Sequence, residues 1–230
     1  MKYKILAIIP ARGGSKGVPR KNLFSLNNKP LIYYSIEASL SSDLITHSIV
    51  STDDEEIQQV AKSYGADAPF LRPSELASDS ALAVPTIQHS IIEAEKHYKC
   101  KFDYVIMLQP TAPLRTSKDI DESLSILIKE NADGIISIVD VDNFHPMKMK
   151  VIKNKLLYDF NTPPTENPPR QSLPEIFIVN GAIYASKREV IMNKSSFKGD
   201  FCLPFIMPAE RSVNIDNYID FKVAEYYLTH

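Results

Sequence analysis

Short apolar runs alternate with amphipathic stretches through the first 140 residues of this 230-residue chain. ILAIIP (5–10), HSIVST (47–52), DYVIML (103–108) and DGIISIV (133–139) are nearly continuous in apolar character. That is the pattern of strands covered on both faces. Between them, PLIYYSIEASLSS (30–42), DDEEIQQVAKSYG (53–65), VPTIQHSIIEAEKHY (84–98) and SKDIDESLSILIKE (117–130) read as amphipathic helices. The second opens on four acidic residues, suited to the positive end of a helix dipole, and Gly65 closes it. The alternation predicts an α/β fold, a doubly wound and mostly parallel sheet of Rossmann-like type.

After residue 140 the rhythm changes. VDNFHPMKMKVIKNKLLYDF (141–160) reads as short strands and turns, and residues 161–174 hold five prolines. Proline at that density usually marks a linker. Here the chain resumes with a strong strand, IFIVNGAIYAS (176–186), and ends in the amphipathic helix of NIDNYIDFKVAEYYL (214–228). The reading is therefore a single unit, 1–230, with 140–178 as an inserted β-rich excursion rather than a boundary.

Composition narrows the function classes. With 44% hydrophobic and 23% charged residues the chain is an ordinary globular protein. A net charge of −2 argues against a nucleic-acid partner held by bulk electrostatics, so any anion recognition must be local. The two cysteines, Cys100 and Cys202, form no CxxC pair, which makes zinc and redox chemistry poor fits. No apolar stretch approaches the roughly 20 residues needed to span a bilayer. No membrane partner and a cytoplasmic location are expected.

The segment IIPARGGSKGVPRKN (8–22) carries the candidate chemistry. It fails the Walker pattern, because Gly13 and Gly17 stand one residue too close and Val18-Pro19 follow them. It also fails the dinucleotide GxGxxG spacing. Three glycines within five residues still let backbone N–H groups approach an anion, and Arg12, Lys16, Arg20 and Lys21 surround them. The loop leaves the first strand at its C-terminal end, where open α/β sheets bind ligands. From the loop alone, a triphosphate cradle and a basic turn facing water are equally good readings.

The wording A-R-x-G-S-K-x-x-x-x-K-N, at residues 11–22, resembles the cytidylyltransferases that activate acidic sugars, in particular the N-acylneuraminate cytidylyltransferases. The resemblance continues through LRPSELASD (71–79), LQPTAPLR (108–115), HPMK (145–148), PRQSLP (169–174), NGAIY (180–184) and SVNID (212–216). It implies transfer of CMP from CTP to the anomeric hydroxyl of a nonulosonic acid, with release of pyrophosphate and with Mg²⁺ as cofactor. By matching position, Ala11, Arg12, Gly13, Ser15, Lys21, Asn22, Arg72 and Gln109 would hold the nucleotide. Gln109, Lys148, Arg170 and Asn180 would hold the sugar, Lys148 and Arg170 serving its carboxylate. Arg12, Lys21 and Asp216 would carry the catalysis. The family's excursion packs against a second subunit, so the resemblance also implies a homodimer.

One position departs from the pattern. The family ends its site with D-x-D, whereas this chain has Asn214-Ile215-Asp216. Alternation along an extended segment puts residues 214 and 216 on one face, so both could reach one ion, Asn214 as a weaker ligand. A helix-capping role for Asp216 stays open. His145 is read as pocket wall, and no general base can be named. Two alternatives remain: a cytidylyltransferase for the eight-carbon acid Kdo, and a nucleotide-binding module without transferase activity.

Overall fold

Each of the five strong apolar runs becomes a strand in the computed structural model, which describes residues 3–78, 80–161, 165, 166 and 168–230, Arg170 by its backbone alone. In chain order the elements begin with β1 (Ile5–Pro10), a two-residue ladder of β2 (Ser25–Leu26) and β3 (Lys29–Pro30), α1 (Leu31–Leu40), β4 (His47–Ser51) and α2 (Glu55–Ser63). There follow α3 (Ala83–Tyr98), β5 (Tyr104–Met107), α4 (Ser117–Lys129) and β6 (Gly134–Asp140). The remainder comprises β7 (Lys150–Lys153), β8 (Leu156–Asp159), β9 (Phe177–Lys187), α5 (Arg188–Lys194), β10 (Cys202–Ile206) and α6 (Tyr218–Thr229).

Six strands form the main sheet in the order β10-β6-β9-β5-β1-β4. Side-chain alternation along β1 explains why its sequence is apolar throughout. Ile5, Ala7 and Ile9 face a core shared with Ile32 and Ile36 of α1, Ile57 of α2, and Ile120 and Leu124 of α4. Leu6 and Ile8 face the opposite core, with Ile87 and Ile91 of α3. Both faces are covered, and each fully buried aliphatic side chain contributes about 1.5–3 kcal/mol by leaving water.

β9 departs from the parallel expectation, since it pairs antiparallel with both β5 and β6. The cause is topological. β6 delivers the chain to the C-terminal edge of the sheet at Asp140, and among the described residues no α-helix carries it back before Phe177. A parallel return needs a crossover of a dozen or more residues, usually a helix, so the chain re-enters the sheet running the other way. Opposite Ile136 and Ile138, β9 advances from Tyr184 to Val179, a bulge centred on Asn180 and Gly181.

α5 and β10 have no counterpart in the apolar pattern. β10 contains Pro204, which hides it as a strand, but it lies at the sheet edge where a missing N–H is tolerated. Within the excursion, β7 and β8 form an antiparallel hairpin whose turn residues Asn154 and Lys155 both take positive φ, 50° and 67°. Its apolar side chains point outward, with Ile152 77% and Leu157 66% exposed. His145 anchors the base of the excursion: Nδ1 accepts from the Met147 N–H at 3.1 Å, and Nε2 donates to the Pro174 carbonyl at 3.1 Å. Residues 162–164 and 167 of the proline-rich stretch lie outside the described residues. No helix among the described residues is long and apolar enough to cross a membrane.

Candidate active site

A cleft of about 450 Å³ opens where β1, β4 and β5 end. The loop after β1 contributes Arg12, Gly14, Ser15, Lys21 and Asn22 to its wall. The segment after α2 supplies Arg72, and the turn after β5 supplies Gln109 and Thr111. Asn214 and Asp216 complete it from the extended stretch before α6. Segments scattered over two hundred residues thus meet at the C-terminal edge of the sheet, where α/β folds place ligands.

The basic loop is fastened at three points. Ala11 is buried, and its N–H extends the β1–β4 ladder to the Ser51 carbonyl at 2.9 Å. Gly13 N–H donates to Asp53 Oδ1 at 3.0 Å, and a Cβ on Gly13 would lie 2.6 Å from Asp54 Oδ2. Arg20, in the left-handed region at φ 55°, pairs with Asp54 and Glu56. This corrects the expectation that Arg20 joins the cations around a bound anion. It also enlarges the account of the acidic run 53–56: Asp54 is the N-cap of α2, accepting from Ile57 N–H at 3.0 Å, and clasps the loop besides. Arg20, with the Ile57 and Glu56 N–H groups, holds the Asp54 carboxyl below its ordinary pKa against the opposing effect of burial.

Lys21 reaches across the cleft. Its Nζ donates to the Ile215 carbonyl at 2.8 Å and stands 3.4 Å from Asp216 Oδ1. Ile215 is buried and its N–H donates to the Thr111 carbonyl at 2.7 Å, so Asn214 and Asp216 are turned toward the cleft as alternation predicts. Gly17 crosses this segment so closely that a Cβ there would lie 2.3 Å from the Asp216 carbonyl oxygen. The N-cap of α6 is Asn217, joined to Asp220 in a capping box, and not Asp216. The Asp216 side chain is 75% exposed.

Arg12 donates to the Ser78 carbonyl at 3.0 Å, and Asn22 is buried with Nδ2 donating to the Arg12 carbonyl at 2.9 Å. Arg72 is buried beside Asp53, with Nη2 at 3.7 Å from Oδ1, while its Nε finds no partner among the described residues. Burial pushes the Arg72 guanidinium below the usual arginine value; Asp53 opposes this and nearby Arg12 adds to it.

The residues expected to hold the sugar are not all brought to the cleft. Gln109 lines the cleft, and Gly181, at φ 78°, lets it approach: a Cβ there would stand 2.7 Å from Gln109 Oε1. Asn180 instead spends its amide on the β9 bulge, where Oδ1 accepts from Ser137 Oγ at 2.6 Å and Nδ2 donates to Ser212 Oγ at 2.9 Å. Lys148 is exposed on the excursion, away from the cleft lining, and the Arg170 side chain lies outside the described residues. Sequence reasoning missed Arg115, which is fully buried and binds the carbonyls of Gln109, Ala112 and Ala182 and the Ser35 hydroxyl. Burial pushes its guanidinium down to about 10, with Asp119 opposing, so it stays charged at neutral pH behind the Gln109 turn. An arginine closing a strand-terminal LQPTAPLR turn was the available signal.

The six-stranded sheet has one reversed strand and carries a glycine-rich basic loop at its C-terminal edge. The same architecture occurs in a solved CMP:2-keto-3-deoxy-manno-octonic acid synthetase complexed with CTP, at a TM-score of 0.74 over 98% of both chains and 19% identity. Residues 6–197 match the cytidylyltransferase family model, and the chain belongs to that family. It is 35% identical to the post-translational flagellin modification protein B of Campylobacter coli, over 98% of this chain and 95% of the relative. It is 34% identical to the CMP-N,N'-diacetyllegionaminic acid synthase of Campylobacter jejuni, over 98% and 95% respectively.

Proposed function

We propose that this cytidylyltransferase transfers CMP from CTP to the anomeric hydroxyl of a nonulosonic acid in the cytoplasm. The observation that carries the proposal is the meeting of Arg12, Lys21, Arg72, Gln109 and Asp216 in one cleft. Arg12 and Lys21 neutralise the phosphates, loop N–H groups approach them, and buried Arg72 serves the base. The sugar hydroxyl attacks the α-phosphorus and pyrophosphate leaves, a displacement driven by positioning and charge with no covalent protein intermediate. Arg115 and Gly181 hold Gln109 toward the sugar. Lys148 and Arg170 are proposed ligands of the sugar carboxylate.

The excursion 140–178 is the proposed dimerisation element, since the outward apolar side chains of β7 and β8 lose contact with water only against another surface. A homodimer would bring one subunit's excursion to the partner's sugar site, which accounts for Lys148 standing away from its own cleft.

The metal donors are few. Among the described residues, no group of three or more His, Cys, Asp or Glu side chains could hold a metal ion. Asp216 and the Asn214 amide oxygen are hard donors on one wall of the cleft, and they fit a Mg²⁺ ion that takes its other ligands from triphosphate and water. Such an ion would add positive charge at the phosphates. An Asn214→Asp variant is expected to lower the Mg²⁺ concentration giving half-maximal activity; an unchanged or higher requirement removes Asn214 from the ion's ligands.

Pyrophosphate release from CTP, measured across sialic, legionaminic, pseudaminic and Kdo acids with Mg²⁺, tests the whole reading. Turnover with a nine-carbon acid is expected. Turnover with Kdo alone replaces the acceptor, and CTP binding without turnover on any acid replaces the enzyme with a nucleotide-binding module.

A further inference from the structure

We propose that Asp53 is a positioning residue that holds the basic loop and the Arg72 guanidinium in one frame, so that triphosphate and base are registered against each other. The inference rests on Arg72 being a nucleotide contact. Asp53 lies just past the end of β4, between the basic loop and the segment that carries Arg72, which Arg12 also joins through the Ser78 carbonyl at 3.0 Å. Its Oδ1 accepts the Gly13 N–H at 3.0 Å and stands 3.7 Å from Arg72 Nη2. The Arg72 side chain is only 4% exposed and its Nε lacks a partner among the described residues, whereas the Asp53 side chain is 26% exposed. A guanidinium so placed needs a nearby countercharge, because removing one partner of a buried pair leaves an uncompensated charge. Arg12 is close enough to disfavour the charged form of Arg72, which increases that need.

The backbone supports the arrangement from both sides. Arg72 N–H donates to the Thr52 carbonyl at 2.7 Å, so the segment carrying Arg72 runs beside the residue preceding Asp53. Thr52 Oγ1 accepts from Asp54 N–H at 3.1 Å, fixing the turn on which Asp53 sits. One carboxylate oxygen therefore senses loop and guanidinium together. Asparagine at 53 keeps an acceptor for the Gly13 N–H but supplies no charge for Arg72. Glutamate keeps the charge on a side chain longer by one methylene.

The test is a double-mutant cycle of Asp53→Asn and Arg72→Ala, read as the CTP dissociation constant by calorimetry, with Asp53→Glu as the conservative variant. Asp53→Asn is expected to weaken CTP about tenfold or more, the scale of a charged interaction lost, while kcat with saturating CTP changes far less. In the Arg72→Ala background the same substitution should cost no more than about twofold, because the partner is already gone. Asp53→Glu should recover most of the affinity. Independent, multiplicative effects overturn the proposal, as does an Asp53→Glu variant no better than Asp53→Asn. If Asp53→Asn does not fold, Asp53→Glu is compared with the unaltered protein, and a loss of about tenfold or more in CTP affinity overturns the proposal. Absence of CTP binding by the unaltered protein would instead refute the assignment of the cleft to the nucleotide, a distinguishable failure.

Discussion

Lys21→Ala is expected to lower kcat by about 10²-fold or more at saturating CTP and sugar, the scale seen when one preorganised donor to a developing charge is removed. The Lys21 side chain is only 12% exposed, and its ammonium is aimed across the cleft by the Ile215 carbonyl at 2.8 Å. That aim is set before substrate arrives, so little reorganisation is needed when charge builds on the phosphates. The melting temperature should move little, because the pair with the largely exposed Asp216 is weak in water. Lys21→Arg should restore only part of the rate, since a planar fork does not reproduce a compact ammonium at the same point. A kcat within twofold of the unaltered enzyme would take Lys21 out of charge neutralisation.

Gly17→Ala is expected to be the most damaging single methyl group in the loop. The added Cβ would lie 2.3 Å from the Asp216 carbonyl oxygen, where ordinary contact begins near 3.4 Å. Both partners are backbone, so no side chain can rotate away. The loop and the 214–216 segment must separate by roughly 1 Å, and misplacement on that scale costs about 10²-fold when it reaches reacting groups. The expected result is a fall in kcat/KM for CTP of that order. Overpacking of about 1–3 kcal/mol should accompany it, lowering Tm by several degrees. At Gly14 a Cβ would meet nothing within 4 Å, so Gly14→Ala should leave Tm almost unchanged. Equal melting temperatures for the two variants would contradict the close crossing at Gly17.

Five of the six sheet strands, and the helices between the first four, were legible because their signals are local. DYVIML needs only its own apolar side chains to be read as a covered strand, and SKDIDESLSILIKE needs only its own spacing. The cleft was legible where a residue type is unusual for its place: cations among glycines beyond a strand, or a glutamine opening a proline turn. Legibility ended where one residue's role depends on a distant partner. Asn180 is a plausible pocket amide in sequence, yet Ser137 and Ser212 claim it for the bulge of β9. Arg20 looks equivalent to Lys21, yet Asp54 and Glu56 take it away from the cleft. Asp53 is one of four acids at a helix start, and only the positions of Gly13 and Arg72 distinguish it.

The amino-acid sequence by itself determined the order of the five apolar strands and the helices between the first four of them, the glycine-and-cation character of the first loop and the amide at position 214. Periodicity, glycine freedom and side-chain charge are properties of short segments, and they persist whatever surrounds them. Tertiary structure alone decided the reversed direction of β9, the division of the loop's cations between latch and cleft, and the contact of Lys21 with a segment 195 residues away. Those features arise from pairings between remote parts of the chain, whose closure entropy is repaid only when the whole sheet has assembled.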